Sequence, residues 1–325
     1  MKLINVKYQL VVLAVTCLLL PTWPAAAAPN ILLIIADDHA PYVMGAYGNA
    51  NAQTPNLDRL ARDGMRFDRA YCTSPVCTAS RQSLLTGRYP RSIGVTQLRT
   101  PLPAAEVTLA ESLRDAGYRT GAIGKMHFNS DLRHGFDTRV DLPEHLLYLD
   151  TRPADALPPG LAVLPPWRPF RDPAAVWLNA GALPYGATER QMPGTWFAAE
   201  AGRFIREFDD KPFFLVVSFY EPHSPYHFPV EYAGKFDPDS FEAPNVAEPD
   251  RWQVPVIFEG LTDAEKRGIA AAYYTSAAFM DQNVGRVLDA LDADGHRDNT
   301  LVIYIGDHGY FLGQHGRFEK HAMYE

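Results

Sequence analysis

"NILLIIADD", residues 30–38, is an unbroken apolar run closed by two aspartates. It reads as a strand buried on both faces, the kind found in a parallel sheet. "PFFLVVSFYEPH" (212–223) and "TLVIYIGDHG" (300–309) have the same form, and "YRTGAIGKMHF" (118–128) reads as a strand running into a polar end. Helical signals separate these runs. "TPNLDRLARDG" (54–64) offers Thr54 as N-cap, Pro55 at the first helical position and Gly64 as a stop. "TLAESLRDAG" (108–117) pairs Thr108 with Glu111 at capping-box spacing, and a long helix over 261–295 opens with the same box at Thr262 and Glu265. Strands alternating with helices predict an α/β fold, a mainly parallel sheet sandwiched between helices.

Four of the strand-like runs end in ligand-type groups: Asp37–Asp38, Lys125–His127, Glu221–His223 and Asp307–His308. In doubly wound sheets ligands bind outside the carboxyl ends of the strands. Parallel neighbours would therefore bring these groups to one site. One strand ending in aspartate is ordinary, but four polar ends in one chain are not.

The N-terminus has the form of an export signal. Lys2 and Lys7 precede the uncharged run "YQLVVLAVTCLLL", and "PTWPAAAAPN" follows, so residues 1–27 are expected to be a signal peptide cleaved near Ala27. The apolar core is short for a membrane span, which disfavours a stable membrane anchor. Cys17 invites a lipoprotein reading, but Thr16 is bulkier than the residue usual before such a site. The expected destination is the periplasm or the exterior. Residues 28–325 then form one large domain with a substantial core. Apolar residues make up 47% of the chain and charged residues 21% with a net charge of −8, an ordinary globular profile that argues against a nucleic-acid surface. Of the 3 cysteines only Cys72 and Cys77 lie outside the signal, too few for a disulfide scaffold, though the two could pair. The stretch 141–195 is dense in proline and holds Trp167 and Trp177 without clear period. It reads as a long insertion of loops and short elements over one end of the sheet.

Asp37, Asp38 and Asp307 together carry more negative charge than a small site tolerates without a cation. Hard carboxylate oxygens suit Ca²⁺ or Mg²⁺, with His308 as an unusual further ligand. Lys125 and Lys320 would add positive charge for an anionic substrate, and His127 and His223 are candidates for proton transfer. Metal, lysines, histidines and a nucleophile position imply transfer of a tetrahedral oxyanion group. Nothing in composition or spacing chooses between sulfate and phosphate.

"SPVCTASRQSLLTGR" (74–88) makes that choice, because here the chain resembles the sulfatase family of the alkaline phosphatase superfamily. "CTASRQSLLTGR" matches the family's Cys-x-(Pro/Ala)-x-Arg signature and its continuation. "NILLIIADD", "GKMHF" and "GDHGYFLGQHG…K" follow in the family's order, so the resemblance covers Pro29 to Glu325. It implies that a formylglycine-generating maturation enzyme oxidises Cys77 to formylglycine. One hydroxyl of the hydrated aldehyde would attack sulfur, and the second would release the bound sulfate, a step that a thiol lacks the hydroxyl to perform.

Carried over by motif, Asp37, Asp38, Asp307 and His308 would hold the cation, Ca²⁺ with Mg²⁺ as the alternative, together with the modified Cys77. Arg81 would orient the diol and His127 would assist it. Lys125 and Lys320 would grip sulfate oxygens, and His223 would protonate or stabilise the leaving oxygen. Thr78 and Ser83 fall to packing and to recognition by the maturation enzyme. Many members have Asn in place of His308, and the Asp-His form resembles the iduronate-sulfatase-like branch. Family members continue past this point through further strands and a smaller C-terminal subdomain, so the resemblance implies that this subdomain is missing here. The expected activity is hydrolysis of sulfate esters, on sulfated glycans or small molecules. Two alternatives stand beside it: a phosphodiesterase or phosphonate monoester hydrolase of the same superfamily, and a non-catalytic glycan-binding relative with Cys72 and Cys77 in a disulfide.

Overall fold

The computed structural model describes residues 28–166, 177–207 and 211–322. The signal-like stretch 1–27 and Trp167 lie outside the described residues. Strands β1 (Asn30–Ala36), β2 (Arg119–Gly124), β3 (Thr138–Val140), β4 (Phe213–Ser218) and β5 (Thr300–Gly306) form one sheet in the order β3-β2-β4-β1-β5. Every pairing is parallel. In the centre, Ile31 of β1 is level with Phe214 of β4 on one side and Leu301 of β5 on the other.

The described helices include α1 (Pro55–Asp63), α2 (Cys77–Thr86), α3 (Leu109–Asp115), α4 (Leu142–Asp150), α5 (Pro193–Arg206) and α6 (Asp263–Ala293). Side chains alternate across a strand, so each face of the sheet has its own core. Leu32, Ile34, Phe213, Leu215 and Val217 pack with Phe197, Phe204, Met280, Val284 and Leu288 of α5 and α6. On the opposite face Leu33, Ile35, Phe214 and Val216 meet Leu85 of α2, Ala110 of α3 and Phe128 and Phe136. The sheet is thus sandwiched between helices, and the apolar runs of β1 and β4 are explained by burial on both faces. In contrast, β5, read from its sequence as equally buried, is an edge strand whose Leu301 and Ile303 are exposed.

The capping boxes at Thr108 and Thr262 form as the spacing implies. Thr54 does not cap α1. Its hydroxyl accepts from Gly45 N–H at 3.0 Å and donates to Asp58 at 3.1 Å. The cap comes from α6 instead, where the Asp281 carboxylate accepts from Asn56 N–H (3.2 Å) and Leu57 N–H (2.9 Å). The stretch 141–195 holds the short helix α4, and α5 begins at its end. Asp141 caps α4, with Glu144 reaching back to its N–H at 2.8 Å, and α5 covers a face of the sheet. Among the described residues no helix is long and apolar enough to cross a membrane.

Candidate active site and metal centre

β2, β4, β1 and β5 are neighbours, so their polar ends leave the sheet at the same edge. Asp37 and Asp38 follow β1, and Asp38 turns into a left-handed backbone conformation with φ 64°. Asp38 N–H donates to Asp307 Oδ1 at 3.0 Å, as does His308 N–H, which ties the end of β5 to that of β1.

Cys77 is the first residue of α2 and its side chain is fully buried. Its Sγ lies 3.2 Å from His308 Nε2, 2.9 Å from Lys320 Nζ and 3.9 Å from Asp38 Oδ1. Burial, Asp307 and Asp38 push the thiol up to about 12, against the pull of Lys320 and Arg81. A thiol held neutral in this way is a poor nucleophile. Cys72 is exposed and both cysteines are free, which sets aside the disulfide expectation.

One turn along α2, Arg81 is buried among four partners. Its Nε donates to Asp307 Oδ2 at 2.8 Å, and one terminal nitrogen donates to Lys125 O and Ser218 Oγ, both at 2.6 Å. The other lies 3.5 Å from Asp37 Oδ1. The Lys125 ammonium contacts Asp37 Oδ2, and Lys320 reaches Asp38 Oδ1 and Oδ2 at 2.8 and 3.1 Å. Burial opposes ionisation of Asp38, but Lys320, His223 and His308 hold its carboxyl below the usual range. Burial likewise opposes the Lys320 ammonium, which Asp38 and Cys77 hold above the usual lysine range. Lys125 differs: burial and repulsion from Lys320 bring it down to about 7.

The expectation of surplus negative charge is therefore corrected. Arg81, Lys125 and Lys320 stand against Asp37, Asp38 and Asp307, one cation for each carboxylate. The case for a metal rests on the donor set instead. Donor atoms of Asp37, Cys77, Asp307 and His308 lie within 4.8 Å of one another, as do those of Asp37, Asp38, Cys77 and His223. Asp37 Oδ1 is buried without a hydrogen-bond partner. His308 Nδ1 is 2.9 Å from Gly309 O, a carbonyl that can only accept, so a proton sits on Nδ1 and Nε2 is the nitrogen that faces the cluster. A carboxylate-rich set of this kind fits a hard divalent cation.

His223 enters the second donor group, although sequence reasoning gave it only a proton role. Its Nδ1 is 2.7 Å from Ser224 O and its Nε2 is 3.9 Å from Asp38 Oδ2. Burial lowers it to about 3 even though Asp38 pulls the other way, so the ring is neutral with its lone pair inward. His127 sits beside α2, its Nδ1 3.4 Å from the Thr78 hydroxyl, and burial, Lys125 and Arg81 hold it far below the imidazole range. Gln82 donates to His127 O and Ser80 to Asp307 O. Glu221 is the strand-end group that does not converge. Its carbonyl accepts from Asp37 N–H at 3.3 Å, but its carboxyl is absent from both donor groups and is raised to about 7 by burial.

Sequence reasoning missed Ser218, Gln82 and Tyr273. Ser218 closes β4 and could have been found by the same strand-end rule. Tyr273 lies inside α6, where nothing local marks it. Its hydroxyl donates to Asp38 O at 2.5 Å.

The Sulfatase family model matches residues 29–325. An arylsulfatase of Clostridium perfringens is 32% identical over 319 residues, covering 91% of this chain and 66% of its own length. An ulvan-active sulfatase of Formosa agariphila is 30% identical over 287 residues, covering 88% of this chain and 51% of its own. The crystal structure of the phosphonate monoester hydrolase of Agrobacterium radiobacter aligns with a TM-score of 0.76 at 27% identity, covering 91% of this chain and 66% of that one. The chain spans 51–66% of the length of these relatives. The chain therefore belongs to the sulfatase family.

Proposed function

We propose that the protein hydrolyses sulfate esters carried on glycans, through a formylglycine made from Cys77 and with a bound divalent cation. The observation that carries this reading is the setting of Cys77: a buried, neutral thiol ringed by His308, Lys320 and Asp38. A thiol is wasted there, whereas the hydrated aldehyde of formylglycine would offer a nucleophilic hydroxyl. A cation held by Asp37, Asp38, Asp307 and His308 would polarise a sulfate oxygen and acidify that hydroxyl. Ca²⁺ is assigned ahead of Mg²⁺ because it accepts the looser, carboxylate-rich sets.

The chain's own residues do the rest. Arg81 locks Asp37 and Asp307 in place. Lys125 and Lys320 flank the cluster from two sides and would turn to the oxygens of an arriving sulfate group. His223 is neutral in the free site, so it must first gain a proton before it can protonate a leaving oxygen. An anionic ester beside it favours that gain. Glycan as substrate follows from the ulvan-active relative. Export and a maturation partner complete the reading, on the sequence of residues 1–30 and the motif around Cys77.

The alignment with a phosphonate monoester hydrolase favours a second reading, in which phosphonate monoesters are the preferred substrates. Rates of the matured protein on an aryl sulfate, sulfated oligosaccharides and an aryl phosphonate monoester decide between them. Sulfate turnover that exceeds phosphonate turnover and vanishes in Cys77→Ala supports the proposal. The reverse preference supports the second reading.

A further inference from the structure

Asp38 faces Lys320, Cys77, His308 and His223 with one carboxylate, and it can do so because its backbone turns left-handed at φ 64°. Non-glycine residues occupy this region only where the surroundings hold them there. Asp307 Oδ1 accepts from the Asp38 N–H on one side of the turn, and on the other side a single hydroxyl grips the Asp38 carbonyl. Tyr273, reaching down from the middle of α6, donates to Asp38 O at 2.5 Å and accepts from Ala40 N–H at 2.9 Å. One atom thus bridges the peptide groups on either side of His39 and fixes the turn that follows β1. Tyr273 is itself fully buried.

The ring of Tyr273 does not stand alone. It stacks on Tyr310 at a centroid distance of 5.8 Å and meets Tyr226 edge-on at 5.4 Å. Tyr226 donates to the Tyr310 hydroxyl at 2.9 Å, and Tyr310 donates to Phe318 O at 2.7 Å. Tyr310 lies two residues beyond His308, Phe318 two before Lys320 and Tyr226 three beyond His223. The cluster is therefore tied to the segments that deliver His223, His308 and Lys320 to Asp38, and of its three hydroxyls only that of Tyr273 bonds to Asp38 itself.

We propose that Tyr273 is a positioning residue for the metal-binding carboxylate of Asp38: its hydroxyl sets the backbone turn that aims Asp38 into the donor cluster, while Tyr226 and Tyr310 serve as packing for it. The inference rests on Asp38 being a metal ligand. Outer partners that orient a ligand typically govern metal affinity by 10–100-fold when removed.

The test is calorimetric titration of Ca²⁺ alone into the chelator-stripped full chain, in the wild type, Tyr273→Phe and Tyr226→Phe. Both variants keep the aromatic packing and lose one hydroxyl. Tyr273→Phe is expected to raise the Ca²⁺ dissociation constant about 10–100-fold, Tyr226→Phe by less than about threefold, within the context dependence of a remote contact. The metal-free unfolding midpoints of the two variants should agree. 4-Aminophenylalanine placed at position 273 keeps a donor toward Asp38 O. It is expected to restore most of the affinity, and it carries the test should Tyr273→Phe not fold. Unchanged affinity in Tyr273→Phe, or equal weakening in both variants, overturns the proposal. A wild type that binds neither Ca²⁺ nor, in the same titration, Mg²⁺ overturns the metal reading, and the proposal with it.

Discussion

Arg81 joins two carboxylates that belong to different strands: its Nε donates to Asp307 Oδ2 at 2.8 Å while its terminal nitrogen lies 3.5 Å from Asp37 Oδ1. The two aspartates end β5 and β1, neighbours in the sheet, so the guanidinium fixes the spacing of the donors across the strand pair. The same side chain also holds Lys125 O and Ser218 Oγ, at the ends of β2 and β4. Four strand ends depend on one buried arginine in the nucleophile helix.

Arg81→Ala should therefore destabilise the protein by about 3–5 kcal/mol, the range for breaking a buried ion pair and stranding its partners. Arg81→Lys should recover only part of this, since an ammonium lacks the planar fork that reaches four groups. Denaturant unfolding measures both. A loss under about 1 kcal/mol for the alanine variant, the scale of an exposed pair, would contradict the account of Arg81.

Lys320→Ala should cost about 100-fold or more in kcat on a sulfate ester, the scale of removing one preorganised electrostatic contact. The ammonium lies 2.9 Å from Cys77 Sγ and reaches both oxygens of Asp38, where the charge of a bound sulfate would be met. Steady-state kinetics of the matured variant check this. Wild-type kcat would remove Lys320 from the site.

Asp281 gives a pH signature remote from the donor cluster. Burial raises its pKa from 3.8 to about 6 while it caps α1. A carboxyl whose folded pKa is raised binds more protons folded than unfolded between those values. Stability therefore falls as pH rises from about 4 to 6 and levels off above. Asn at this position keeps an acceptor and removes the titration. At 1.36 kcal/mol per pKa unit, and with the unfolded carboxyl already half titrated at pH 4, Asp281→Asn should gain on the wild type by about 2 kcal/mol between pH 4 and 7. Unfolding curves at the two pH values read the difference. A gap independent of pH would place the Asp281 pKa near its ordinary value.

Metal removal should destabilise the chain through the same cluster. At a free Ca²⁺ concentration of 100 times its dissociation constant, linkage adds about 2.7 kcal/mol over the chelated protein. Unfolding midpoints that ignore both Ca²⁺ and Mg²⁺ would contradict a divalent centre.

The central strands and the residues that close them were legible because double-sided burial writes unbroken apolar runs, and the polar residues after each run stand out. β3 was not: Thr138, Arg139 and Val140 are half-buried at the sheet edge and carry no apolar run. Nor was α5, whose Pro193-Gly194 start sits in a proline-rich stretch without clear period. Contacts between residues distant in sequence left no local trace. Asp281 caps α1 in place of Thr54, and Tyr273 grips Asp38, because α6 crosses both. Glu221 shows the limit of the strand-end rule. A polar residue past a strand is brought to the edge, but its side chain need not face the cluster.

The most direct measurement is mass spectrometry of the tryptic peptide "AYCTSPVCTASR" (70–81) from protein co-expressed with a formylglycine-generating enzyme. The account predicts that Cys77 has lost its sulfur and gained an aldehyde, that Cys72 remains a thiol, and that turnover of a sulfate ester scales with the converted fraction. An unmodified Cys77 in protein that hydrolyses sulfate esters, or full conversion without any turnover, would contradict it.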